Sequence, residues 1–229
     1  MGYSSNIFIN CPFDSDYYPL LKSLLFTCLF CKLNPKLSET KDGDDIRIRQ
    51  IQSLIVKSKY NIHDISRILP KAYSNIIKEG KKKRKKKQNK TVDEKQFLPR
   101  FNMPFELGLD LGCKQYSKTD KKCLILEEKQ YRYKEVISDI AGQDISSHEN
   151  DSFLLMKCVR NWIYTLDKAN KPKSFKKIWD LYHEFLFDFD QDMKAEDLDP
   201  DKMWEIPFSE LIDIMKEWIR IKKKSLSIK

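Results

Sequence analysis

The chain has 229 residues, 41% of them hydrophobic, which suits one ordinary domain with an appendage and a packed core. No apolar run reaches the roughly 18 to 20 residues of a membrane span, and Met1 leads into strand-like sequence without a basic region or signal core, so a cytoplasmic protein with no membrane association is expected. The net charge of +9 is local: nine bases and one acid between Lys78 and Lys90 carry +8, the rest of the chain nets +1, and a basic domain surface is thereby excluded.

Asn6 to Asn10 alternates polar and apolar residues as a first strand does, and Cys11-Pro12-Phe13-Asp14 turns the chain. Tyr17 to Phe30 carries leucines at helical spacing, with Pro19 tolerated near the start. Lys32 to Leu37 reads as a second strand, and Ile46 to Ile55 as a second helix with Arg47 and Arg49 between its apolar positions. Tyr60 to Ile65 reads as a third strand ending in the polar group His63-Asp64-Ile65-Ser66-Arg67. In an open α/β sheet, ligands gather at that edge. From about residue 68 to 97 no period persists, and the lysine run marks an insertion.

A further helix is expected from Asn102, read as its N-cap, with Pro104 in the first turn. Phe105, Leu109 and Leu111 are then expected to face inward, while Glu106 lies near the positive end of the helix dipole. Gly108 and Gly112 each lower helix propensity by roughly 1 kcal/mol relative to Ala, which implies a close approach of a neighbour or ligand. Lys122 to Leu126 is a buried strand, Tyr131 to Ile140 a short amphipathic segment, and Gly142 to Ile145 a turn into a short fifth strand. Helices are expected over Asp151 to Leu166, Phe175 to Phe189 and Phe208 to Ile221, the last two joined by acidic sequence.

Strands alternating with helices argue for a parallel sheet of four to five strands covered on both faces, an α/β class, with a C-terminal helical extension. The expected division is an α/β domain over residues 1–168, containing the basic insertion at about 68–97, and a helical extension over 169–229, packed on the sheet domain or on a second subunit. Cys28 and Cys31 have redox-motif spacing, but with no second pair they read as free thiols in apolar sequence, and no metal site is expected. His148 and His183 read as surface or packing residues.

Glu106-Leu107-Gly108, on a helix after the third strand, resembles the nucleoside 2-deoxyribosyltransferases. The related Toll/interleukin-receptor-like NAD hydrolases share a flavodoxin-like layout, and Phe8-Ile9-Asn10 with its polar loop looks like their opening. The resemblance spans roughly Asn6 to Ile145. It implies cleavage or transfer at the N-glycosidic bond of a nucleotide or nucleoside, with Glu106 as the nucleophilic carboxylate and Asp64 contacting base or sugar. Asn10, Phe13 and Asp14 would line the first loop, and Asn102 would join them in binding substrate. It also implies a prokaryotic immune effector that self-assembles. NAD or a nucleoside would be the substrate, and no cofactor is implied.

The chemistry is coherent in its own terms. Cleaving an N-glycosidic bond builds oxocarbenium character that a carboxylate can stabilise or capture, and the departing base needs a proton or hydrogen bonds, a role for His63 or Asp64. Arg67 and Arg100 are the candidates for bidentate contact with phosphates. Against these readings, Glu106 also fits a plain dipole complement, and His63 with Asp64 fits a hydrogen-bonded strand end. The alternative function is a non-catalytic nucleotide sensor that signals to a partner protein through the C-terminal helices or the basic loop; those helices also suit homo-oligomer contacts. Lys81 to Lys87 would give nucleic acid only an unspecific, salt-sensitive hold.

Overall fold

The computed structural model of the chain describes residues 2–38, 46–69, 99–166, 171–196 and 206–227. Five short strands, β1 (Asn6–Asn10), β2 (Asn34–Lys36), β3 (Tyr60–Asp64), β4 (Lys122–Glu127) and β5 (Ile145–Ser147), form one sheet in the order β2-β1-β3-β4-β5 with every neighbouring pair parallel. The parallel α/β sheet expected from the alternation is therefore present, in the flavodoxin-like arrangement that the resemblance implied. From β1 the chain runs outward to β2 and then crosses back to β3. In open α/β sheets such a reversal, at the carboxyl ends of β1 and β3, is where ligands bind.

The helices are α1 (Tyr18–Phe30), α2 (Arg47–Val56), α3 (Asn102–Ser117), α4 (Ser152–Leu166), α5 (Phe175–Ala195) and α6 (Phe208–Ser227). Alternation along the strands divides the core between two faces. Ile7, Ile9, Ile62, Leu124 and Leu126 join α1 and α4 on one side. On the other, Phe8 packs on Ile51 and Ile55 of α2, and Ile125 on Met103 and Leu107 of α3. Both faces being covered, the strands carry apolar residues on each side.

Nearly every residue of α1 is buried, because the sheet covers one side of it and the last two helices cover the other. The Phe26 ring lies 5.3 Å from Tyr182, 5.5 Å from Phe185 and 5.9 Å from Trp218, ring centre to ring centre. The C-terminal helices thus pack on the sheet domain and share its main core. No helix among the described residues is long and apolar enough to cross a membrane.

In α3 the structure corrects the expected packing. Asn102 is the first helical residue and not its cap, which falls on Phe101 with no side-chain hydrogen bond. The buried stripe is Met103, Glu106, Leu107 and Asp110, while Phe105 is exposed. At 100° per residue, 103, 107 and 110 share one side and 105 lies across from them, so the stripe facing the sheet carries two carboxylates. A Cβ added at Gly108 or Gly112 would meet no atom within 4 Å, so the close approach expected there is not found among the described residues. Two short 3-10 turns, Arg132–Glu135 and Ser138–Ile140, stand where an amphipathic segment was expected. Nearly all of the expected insertion, including Lys81 to Lys87, lies outside the described residues.

Candidate functional site

The carboxyl ends of β1 and β3 are tied together and to α3 through Asn10. The register pairs Asn10 with His63, and its Nδ2 donates to the Met103 carbonyl (2.9 Å) while lying 2.9 Å from His63 Nδ1. That bond fixes the start of α3 against the end of β1. One turn on, Glu106 is brought to the sheet edge with only 6% of its surface exposed. Among the described residues it makes no hydrogen bond or ion pair. Burial pushes its carboxyl up to about 7, opposed by Arg47 at the start of α2. Cys11 shares this ground: its thiol is pushed well up by burial and then by the carboxylates of Asp64, Glu106 and Asp14.

Asp14 organises the loop after β1. It accepts the Tyr17 N–H (3.1 Å), receives Arg67 Nε and Nη2 (each 3.4 Å) and lies 3.3 Å from Arg100 Nη1. The Arg100 N–H also donates to the Arg67 carbonyl (3.0 Å). Two guanidiniums on one carboxylate leave a net positive charge at this edge of the sheet, with Arg100 half exposed. Phe101 and Phe105 are exposed on the first turn of α3, as is Asn102, and Phe13 is partly exposed on the β1 loop.

Asp64 and His63 go elsewhere than the expected shared pocket. Asp64 is wholly buried on the α1 and α4 side. Its Oδ1 accepts the Ser66 N–H (2.9 Å) and the Ser66 hydroxyl, and its Oδ2 accepts the Tyr17 hydroxyl (2.5 Å) and His148 Nε2 (2.9 Å). Burial alone would raise this carboxyl, but the His148 charge and the hydrogen bonds from His148, Ser66 and Tyr17 hold it below its ordinary value. Serine, histidine and aspartate meet here without forming a nucleophilic triad. Ser66 Oγ (3.1 Å) and Asp64 share His148 Nε2, while His148 Nδ1 accepts the Asn150 N–H (3.1 Å), so the two ring nitrogens cannot relay a proton from serine to aspartate. Glu149 and Asn150 both take left-handed backbone angles (φ 53° and 58°), which turns that N–H back onto the ring.

His63 faces α2 and α3. With Nδ1 accepting from Asn10, its Nε2 donates to Asp110 Oδ2 (3.2 Å). Asp110 Oδ1 accepts from Asn61 (3.1 Å) and lies 3.6 Å from the buried Lys121 ammonium, which also donates to the Ile55 (2.6 Å) and Ser58 (2.5 Å) carbonyls. Donor atoms of His63, Asp110 and Cys123 fall within 4.8 Å of one another, a spacing a metal ion could use. Asp110 is already neutralised by the lysine, and burial pushes the Cys123 thiol up and away from the thiolate a metal needs. Glu127, at the end of β4, accepts the N–H groups of Tyr131 (2.7 Å) and Tyr133 (3.0 Å) and so shapes the turn that follows.

No family model matches the chain, and neither a curated protein nor a solved structure matches it. The site therefore stands on its own geometry. That geometry brings Glu106, Asp14, Arg67 and Arg100 to one edge and buries Asn10, His63 and Asp64 in hydrogen bonds beneath it. It adds Tyr17, Asp110, Lys121 and Glu127, to which sequence reasoning assigned no role, gives Ser66 a partner in Asp64, and moves His148 from an expected surface or packing place to a buried, hydrogen-bonded one. For His148 a signal existed: it directly follows β5, at the same sheet edge as the other site residues. The remainder are assembled by packing that no local pattern shows.

Proposed function

We propose that the chain cleaves or transfers the N-glycosidic bond of a nucleoside or nucleotide, with Glu106 as the reacting carboxylate. One observation carries the reading: Glu106 is buried at the sheet's ligand edge with no partner among the described residues, where a structural acid would be expected to find one. As the base leaves with the bonding electron pair, positive charge grows on the anomeric carbon. With the Glu106 carboxyl raised to about 7, a share of it has already given its proton to solvent near neutral pH, and that carboxylate attracts or captures the sugar. Water or an acceptor hydroxyl then completes hydrolysis or transfer.

Asp64 and His63 have no free hydrogen to give, so among the described residues the leaving base finds no evident acid. This favours a leaving group that departs without taking a proton, as the cationic nicotinamide of NAD does. The surplus guanidinium charge at Arg67 and Arg100 supports a substrate bearing phosphates. Consumption of NAD would also supply the effector role that the family resemblance implies. Exposed Phe187 and Ile221 on the C-terminal helices support a contact with a second copy or a partner there.

The saturated state of Asp64 and His63 equally suits a sensor that binds a nucleotide without chemistry. Purified protein and its Glu106→Gln variant, incubated with NAD, nucleosides and deoxynucleosides and followed by chromatography, separate the two readings. Free base released by the wild type alone supports the glycosidic reaction. Binding by both proteins with turnover by neither transfers the case to the sensor.

A further inference from the structure

A cavity lies at the amino-terminal edge of the sheet, opposite the Glu106 edge, where Ser4 and Ser5 precede β1 and Tyr60 begins β3. Its volume is about 520 Å³, within the range of ordinary small-molecule sites. Phe30, Leu33, Ile163 and Leu166 give it an apolar wall. Lys32, Lys171, Lys173 and Lys223 also line it, and no aspartate or glutamate does among the described residues. Outside Lys78 to Lys90 the chain nets only +1, so four lysines around one cavity are a local concentration of charge.

The lysines are held in place by their surroundings. Arg160 Nε and Nη2 donate to the carbonyls of Lys173 (3.0 Å) and Pro172 (3.1 Å), pinning that segment to α4, and Lys171 Nζ donates to the Tyr164 hydroxyl (2.8 Å). Lys32 closes α1 in a left-handed conformation (φ 65°), with its N–H on the Leu29 carbonyl (3.0 Å) and the Leu33 N–H on that of Cys28 (2.9 Å). Glycine is the usual residue at such a position, and a side chain there costs about 1 kcal/mol. Lys223 donates to the Phe30 carbonyl (3.2 Å), and burial followed by the Lys32 charge makes its ammonium easier to deprotonate. An anion in the cavity would relieve that repulsion.

We propose that this cavity is a second ligand site, taking an organic anion with an apolar or aromatic body against the Phe30, Leu33, Ile163 and Leu166 wall and a phosphate or carboxylate head among the lysines. Ammonium groups act as point charges and accept either head, while the wall rejects an ion that has no body. The site is independent of Glu106.

The test is methyl NMR of the full chain with labelled Leu and Ile, titrated separately with phenyl phosphate, decanoate and inorganic phosphate. The expected result is a saturable shift at Leu33, Ile163 and Leu166 with at least one organic anion. Which of the two binds more tightly identifies the head group. Inorganic phosphate should bind more weakly, and the Lys171→Glu/Lys173→Glu variant should weaken organic-anion binding about tenfold at low salt. Both positions are exposed, and unchanged methyl resonances elsewhere would show that the variant is folded. No saturable shift with either organic anion, an unchanged affinity in the folded variant, or inorganic phosphate binding as tightly as phenyl phosphate would each overturn the proposal.

Discussion

His63 and Asp64 are neighbours in sequence and serve opposite faces of the sheet: His63 donates to Asp110 beneath α3, while Asp64 accepts from His148 on the side of α1 and α4. Two adjacent polar residues at the end of one strand thus hold two separate buried networks, and each network makes a prediction of its own.

For Asp64, the folded carboxyl is held below its ordinary value of 3.8, so its contribution to stability is present above that pH and is lost as acid protonates the folded form. Asp64→Asn keeps the shape but strands hydrogen-bond donors of Tyr17, Ser66 and His148. A loss of about 3 kcal/mol or more at pH 7, narrowing below about pH 4, is expected from urea unfolding across pH.

Lys121 and Asp110 are a buried pair, and removing either leaves the other uncompensated. Lys121→Met and Asp110→Asn should each cost about 3 to 5 kcal/mol, and the double variant clearly less than their sum. A double-mutant cycle by chemical unfolding reads the coupling.

Glu106 runs in the other direction. Its folded carboxyl holds a proton up to about pH 7 against an ordinary 4.5, so the stability it contributes is complete below about 4.5 and lost as pH rises through 7. Glu106→Gln removes that dependence. The variant should gain on the wild type between those values and remain more stable above pH 7 by about 1 to 2 kcal/mol, allowing for partial solvent screening. Equal stability of the two proteins at pH 5 and pH 8 would show that the carboxyl is not perturbed.

Phe185 tests whether the last helices belong to the main core. Phe185→Ala should cost about 3 to 5 kcal/mol and lower a single cooperative transition for the whole chain. A separate early transition of α5 and α6, with the sheet unaffected, would contradict the shared core.

Strand and helix order was legible in the sequence because α1 and β4 are long or continuous apolar runs, the apolar periods are strong in α4 and α5, and strands alternate with helices. The stripe of α3 was not, since its buried positions include Glu106 and Asp110, and a rule that turns apolar residues inward points to Phe105 instead. Glu106 and Asp14 could be placed at the sheet edge from chain order alone. The saturation of Asp64 could not, because two of its four hydrogen-bond donors, Tyr17 and His148 on one oxygen, reach it only when α1, β3 and β5 are assembled, while both Ser66 donors are local. Nor could the Lys121 pair, whose cation looks like an ordinary flank of a buried strand.

The Phe208 ring, at the start of α6, lies 5.5 Å from Phe13 and 6.0 Å from Tyr18. These two residues bracket Asp14 in the loop that leaves β1. The final helix therefore buttresses, through one aromatic ring, the loop that carries Asp14, and with it the carboxylate on which Arg67 and Arg100 converge from two other segments of the chain.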